Sequence, residues 1–258
     1  LDTVDAIVIC TPTETHADYI RRIGSSVRNI FVEKPLAATV EEARTVKDFV
    51  DANDLNLQVG FIERYNPAVQ GLKNILEKSE RVISVDFTRT NKLSARITDV
   101  DVVIDLMIHD IDLALYLNGP IQNVVAYGNK EHGLVAFASA IFKHQSGSLS
   151  RVIASRMTEK KIRSIQVTTD DAYIDAELVR KELLVHKQSA TTTNVDDSYI
   201  VSSLEQQIEV KPQEALLVEL QAFISRCNGD QSAVLPDVDA GVESLRICQL
   251  VLESIENV

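Results

Sequence analysis

The chain has 258 residues, 45% of them hydrophobic, enough to bury a substantial core spread over more than one domain. Its formal charge of −12 disfavours nonspecific binding to nucleic acid or anionic lipid, whose phosphates it repels. No apolar run is long enough to cross a bilayer, and the residues from Leu1 onward lack the basic start and cleavage pattern of a signal peptide, so a soluble cytoplasmic protein is expected. Cys10, Cys227 and Cys248 are scattered without metal-site spacing. No metal is expected, and the three read as structural thiols in a reducing compartment, with Cys10 in a buried strand.

In chain order, residues 6–10 read as a strand and 13–23 as a helix with Glu14 in its first turn. A strand over 29–32 follows, then a helix starting at Thr39 with Glu42 in capping-box position and ending near Asn53, then a strand over 57–61. This alternation is the second half of a doubly wound parallel sheet. From about Arg64 the pattern changes to a helix over 67–78, a strand over 82–90 and a long helix over 101–117. Strands separated by turn signals then cover 124–128, 134–143, 147–155, 163–168, 173–175 and 182–186. The polar stretch 190–203 reads as a loop or hairpin, strand-like residues resume at 208–210, and 214–227 and 239–255 have helical apolar spacing. The second part of the chain is therefore a sheet-based domain, one face of which covers the long helix while the other is free to pair subunits.

Three segments carry candidate chemistry. The first is DVVIDLMIHDIDLALYL, where Asp105 and His109 are four residues apart and share a helical face, with Asp112 nearby. An apolar helix rarely holds so many polar groups unless they are paired or line a cavity, and a core histidine held by a carboxylate is the alternative. The second is NIFVEKPLA, which puts Glu33, Lys34 and Pro35 at the carboxyl end of a parallel strand, the edge where ligands bind in open α/β sheets; a solvated strand end is the alternative. Pro35 restricts Lys34 to extended backbone. The third is VGFIERYNPAV, a strand followed by a polar turn that also reads as an ordinary connection into a helix.

In this order and spacing, with CTPTETHAD at Cys10 to Asp18, VEKPLA and the Asp105/His109 helix, the chain resembles the Gfo/Idh/MocA family of nicotinamide-dependent sugar and polyol dehydrogenases over essentially its whole length. GFIERYNPAV and DLMIHDIDLAL look most like the branch that oxidises the 3-hydroxyl of UDP-N-acetylglucosamine. The resemblance implies an α/β fold class: the C-terminal half of a doubly wound Rossmann-type domain over residues 1–63, and an α+β domain with a large mostly antiparallel sheet over 64–258 for substrate binding and oligomerisation. Family members open with a Gly-rich phosphate turn, and no G-x-G-x-x-G occurs here. LDTVDAIVICTP matches the fourth strand of such a domain and lacks an initiator Met, so a piece of a longer polypeptide with an incomplete cofactor site is expected.

The resemblance further implies NAD or NADP as cofactor, a sugar or nucleotide sugar as substrate, and a homo-oligomer formed through the C-terminal sheet. Thr11, Pro12, His16, Glu33, Lys34 and Pro35 fall in cofactor-binding segments, and Arg64, Tyr65, Asn66 and Asp105 in substrate-binding ones. Lys34, Asp105 and His109 are the catalytic candidates. His109 is the expected proton acceptor with Asp105 orienting its ring, although relatives divide proton transfer between this lysine and histidine differently. Arg64 reads equally as a structural ion pair and His16 equally as a surface residue. Lys160, Lys161 and Arg163 form a basic cluster suited to a diphosphate or, more simply, a solvated strand edge. Asp101 stands where relatives carry a small residue. A polyol or inositol dehydrogenase and a noncatalytic ligand-binding relative are the alternatives to a nucleotide-sugar enzyme.

Overall fold

The structure, a computed structural model, describes residues 4–92, 100–193, 199–230, 232 and 235–257. Its first part is a three-stranded parallel sheet, β1 (Ala6–Ile9), β2 (Asn29–Glu33) and β3 (Asn56–Gly60), in that order. Ile9, Val32 and Val59 lie in one register row, and Val8, Phe31 and Gln58 in the next, on the opposite face. Between the strands run α1 (His16–Gly24) and α2 (Val40–Ala52), whose Ala17, Ile20, Ala43 and Val46 share a core with Ile30, Val32 and Val59. The expected helix from residue 13 opens with a 3₁₀ turn, Thr13–Thr15. At the start of α2, Thr39 accepts from the Glu42 backbone N–H, and the Glu42 carboxylate accepts from Ala38 N–H, so the capping signal is used. Cys10 departs from expectation: β1 stops at Ile9, and the cysteine is exposed beyond it.

After a 3₁₀ turn at Ile62–Tyr65 and α3 (Pro67–Leu76), the chain builds an eight-stranded sheet. Its strands are β4 (Val82–Lys92), β5 (Ile121–Glu131), β6 (Leu134–His144), β7 (Leu149–Ser155), β8 (Met157–Thr169), β9 (Ala172–Glu177), β10 (Glu182–Thr193) and β11 (Tyr199–Gln207). The order is β11-β10-β9-β8-β4-β7-β6-β5, antiparallel except where β4 runs parallel to β7. β10 and β11 pair antiparallel as far as Thr193 and Tyr199, which favours the hairpin reading of 190–203; residues 194–198 lie outside the described residues. The strand expected at 208–210 does not form: Ile208 N–H bonds Leu183 carbonyl once, and the ladder ends at Gln207.

One face of this sheet buries Val85, Phe87, Ala140, Phe142, Val152 and Ile165. The other displays Val125, Tyr127, Ile141, Leu149 and Tyr173, each more than 40% exposed, as an antiparallel sheet covered on one side does. The covering elements are α3, α6 (Val238–Glu256) and α4 (Ile108–Asn118), which packs on β4 and β7. A single π-helical turn, Val103–Met107, precedes α4.

Two helices tie the sheets together. α6 touches α2, β3, α4 and β5, and comes so close to the parallel sheet that a Cβ at Gly241 would lie 3.0 Å from both Leu36 and Val59. α5 (Ala215–Cys227) covers the second face of the small sheet, with Phe223 edge-on to Phe31 at 5.7 Å between ring centroids. Among the described residues no helix is long and apolar enough to cross a membrane.

Candidate active site

The carboxyl ends of β1 and β2 lie side by side, and His16 fastens the loops that leave them. It is 1% exposed, with Nδ1 2.9 Å from the Pro35 carbonyl and Nε2 2.9 Å from the Thr11 carbonyl. With both ring nitrogens facing backbone oxygens, His16 is no surface residue: it clamps two loops. Thr11 and Pro12 remain exposed at this edge. Glu33 turns toward the end of β3, where its Oε2 would lie 2.9 Å from a Cβ at Gly60, so this glycine makes room for the carboxylate. The Lys34–Pro35 peptide bond is cis.

Lys34 reaches from this edge to the second domain. Its ammonium donates to the Asp105 backbone carbonyl at 2.8 Å and to Asp105 Oδ1 at 3.4 Å. The other carboxylate oxygen, Oδ2, accepts from Arg156 Nη2 at 2.8 Å. Burial lowers the Lys34 pKa from its ordinary value, and Asp105 partly offsets this.

The structure thus brings Lys34 and Asp105 together; Asp105 engages two cations, while His109 Nδ1 is buried with no hydrogen-bond partner. Asp105 sits inside the π-helical turn that leads into α4, with one carboxylate oxygen turned to Lys34 and the other to Arg156. The His109 pKa is held well below 6.5, first by burial and then by the charges of Lys34, Arg89 and Arg163. Its ring is therefore neutral at neutral pH.

Below His109 lies a buried charge network. Arg89, 2% exposed on β4, donates Nε and Nη2 to Asp110 at 2.8 Å each and Nη1 to Glu63 Oε1 at 2.8 Å. Arg163 adds a bond to the same Glu63 oxygen at 3.0 Å. Of the expected basic cluster only Lys160 and Lys161 stay exposed on β8; Arg163 is drawn inward by Glu63.

Arg64, Tyr65 and Asn66 each have protein partners. Arg64 forms a two-pronged pair with Asp112, Nε to Oδ2 at 2.9 Å and Nη2 to Oδ1 at 2.6 Å, with its guanidinium over the Tyr116 ring. Tyr65 hydroxyl accepts from Gln58 Nε2 at 3.2 Å. Asn66 caps α3 and donates to the Leu178 carbonyl at 3.1 Å. Asp101 pins the start of the helical segment to the large sheet, its Oδ1 accepting from Val135 N–H at 2.6 Å.

Sequence reasoning missed Arg156, Glu63, Arg89 and Asp110. A signal existed for Arg89, since Val85, Phe87 and Arg89 occupy alternating inward positions of one strand, and an inward arginine demands a buried anion. Arg156, a lone basic residue after β7, gave none.

Two family profiles match the chain: the GFO/IDH/MocA oxidoreductase family with the NAD-binding Rossmann fold over residues 1–61, and the GFO/IDH/MocA C-terminal domain over residues 83–175. UDP-N-acetylglucosamine 3-dehydrogenase of Acidithiobacillus ferrooxidans is 27% identical over 231 residues, 87% of this chain and 71% of the relative. scyllo-Inositol 2-dehydrogenase (NAD(+)) of Bacillus subtilis is 27% identical over 260 aligned positions, 93% of this chain and 72% of the relative. A solved structure of the Acidithiobacillus enzyme superposes with a TM-score of 0.88 at 26% identity, covering 98% of this chain and 80% of that one. The chain belongs to the Gfo/Idh/MocA family of NAD-binding oxidoreductases.

Proposed function

We propose that this chain serves an NAD(P)-dependent dehydrogenase that oxidises a secondary hydroxyl of a sugar or nucleotide sugar, with the 3-hydroxyl of UDP-N-acetylglucosamine as its substrate position. The observation that carries the reading is the meeting of Lys34 and Asp105 beside a buried, unpartnered His109 nitrogen. His109 as a residue stays partly exposed, so a substrate hydroxyl can come up to its ring although Nδ1 itself is covered.

The exposed Thr11 and Pro12, with Glu33, Lys34 and Pro35 on the adjacent loop, fit the nicotinamide end of the cofactor at the carboxyl edge of a parallel sheet. A nicotinamide held there would supply the hydride acceptor for oxidation of the carbon that bears the hydroxyl. The chain's own residues handle the proton. Neutral His109 accepts it from the hydroxyl, while the Lys34 ammonium donates a hydrogen bond to the same oxygen and stabilises its developing negative charge. Asp105 keeps the ammonium in place.

The two relatives support a ring hydroxyl as the target but differ in its carrier, a nucleotide sugar in one and a free polyol in the other. The test is oxidation of UDP-N-acetylglucosamine, scyllo-inositol and glucose with NAD and with NADP, followed by absorbance of the reduced cofactor across pH. The expected result is the highest kcat/KM on the nucleotide sugar. Its acid limb should fall below pH 6.5, from His109, and its alkaline limb below pH 10.5, from Lys34. Equal or better turnover of scyllo-inositol would move the reading to a polyol dehydrogenase, and cofactor binding without turnover of any substrate would move it to a ligand-binding relative.

A further inference from the structure

Arg156 is 6% exposed and stands between β7 and β8. Its guanidinium closes on the start of the helical segment that bears the candidate site: Nη1 donates to the Val100 carbonyl, Nη2 lies 3.5 Å from the Asp101 carbonyl, and Nη2 binds Asp105 Oδ2 at 2.8 Å. Its Nε is buried without a partner. A surface ion pair would contribute little and would leave no donor orphaned. This guanidinium instead sacrifices one hydrogen bond to reach the carboxylate.

The geometry makes a chain of three residues from three parts of the fold. Lys34 comes from the parallel sheet, Asp105 from the π-helical turn, and Arg156 from the large sheet. The Asp105 carboxylate has two oxygens, one turned to each cation. Without Arg156 the carboxylate would lose its anchor on Oδ2 and be free to rotate about its terminal bond or swing wholly onto Lys34.

We propose that Arg156 is a positioning residue for the dehydrogenase reaction: by holding Asp105 Oδ2 it fixes the carboxylate that aims Lys34, and it shares a carboxylate that Lys34 would otherwise monopolise. The proposal rests on the reading of Lys34, Asp105 and His109 as the active site. The role does not extend to lysine at this position, because a point ammonium cannot hold a backbone carbonyl and the carboxylate in the fixed fork that a guanidinium spans.

The test reads Lys34 directly. The pH titration of its ¹³Cε resonance, assigned by its loss in Lys34→Ala, is compared in the wild type, Arg156→Met, Arg156→Lys, Asp105→Asn and the double variant. Arg156→Met removes a cation and leaves Asp105 to Lys34 alone, so Lys34 should titrate higher by on the order of one pH unit. Arg156→Lys should restore part of the shift, and most of it should vanish in the Asp105→Asn background. In parallel, kcat of Arg156→Met should fall roughly 10- to 100-fold, as expected for a small misplacement at the reacting centre, with cofactor KM little changed.

A Lys34 titration unmoved in Arg156→Met, or a shift that persists undiminished in Asp105→Asn, would overturn the proposal. Should Arg156→Met fail to fold, Arg156→Lys against the wild type carries the same comparison: a smaller shift in the same direction supports the proposal and no shift overturns it. Failure of the underlying active-site reading looks different, since Lys34→Ala and Asp105→Asn would then leave turnover intact whatever Arg156 does to the titration.

Discussion

The segment from Val103 to Asn118 presents its polar side chains to two differently built surroundings. On one side, Asp110 and Asp112 are 3% and 1% exposed, and each receives two hydrogen bonds from a single arginine, Arg89 or Arg64. On the other, Asp105 has a side chain 26% exposed, is shared between Lys34 and Arg156, and stands near a histidine with a free nitrogen. The first arrangement is closed: every anion is matched and no atom is left for a ligand. The second is open, with a titratable ring, an orphan acceptor or donor and a lysine whose burial unsettles its charge. Paired and buried charges hold the fold, and the incompletely satisfied ones are left for chemistry.

An orphan atom alone does not mark a site. Gln58 Oε1 and Glu219 Oε1 are also buried without partners, on either side of Tyr65, far from any role in the proposed proton transfer. What separates His109 from them is its company of Lys34 and Asp105.

The sharpest way to break the comparison is to open the closed side. Arg89→Ala strands Asp110 as a buried carboxylate and leaves Glu63 to Arg163 and Asn66 alone, and should cost about 3–5 kcal/mol of stability, read by urea denaturation. A loss below about 1 kcal/mol, the range of a surface pair, would mean that the network is not structural.

An effect spread over pH rather than seen at once is expected at Glu219, which is 1% exposed on α5 and faces Tyr65, Glu33 and Asp112. Burial first, and then Glu33 and Asp112, push its pKa up to about 8 from the usual 4.5. The folded state therefore keeps a proton that the unfolded chain releases above pH 4.5, so stability is complete below that pH and declines as pH rises toward 8. The decline should be on the order of 1 kcal/mol per pH unit across that window, and Glu219→Gln should flatten it. Denaturation curves for both proteins across the window check this, and parallel pH dependences would refute it.

Much of the fold was legible because its signals are local. Alternating strand and helix patterns, the Thr39–Glu42 cap and the polar hairpin at 190–203 each rest on residues adjacent in sequence. The misses arose where tertiary context decides. Cys10 belongs to an apolar run but lies one residue past the last ladder pair, Ile9 with Val32. Residues 208–210 have β-branched character but no partner strand to continue the ladder beyond Gln207.

The site was half legible for the same reason. EKP and the Asp105 helix pointed to residues that the fold brings together, Lys34 and Asp105, but the π-helical turn that holds Asp105 leaves no periodic trace in an apolar helix. Arg64 and His16 were visible as polar residues near the edge, yet their partners, Asp112 for one and two carbonyls for the other, come from distant parts of the chain or from backbone that the sequence pattern does not mark.

The central claim is that His109, on the open side, does chemistry while its neighbours on the same helix hold the fold. The most direct measurement is the turnover number of His109→Ala on its best substrate, with the pH–rate profile recorded beside it. Removing the proton acceptor should lower kcat roughly 10²-fold or more and erase the acid limb, with cofactor affinity and unfolding midpoint nearly unchanged. Near wild-type turnover with an unaltered pH–rate profile would contradict the account and return His109 to the core.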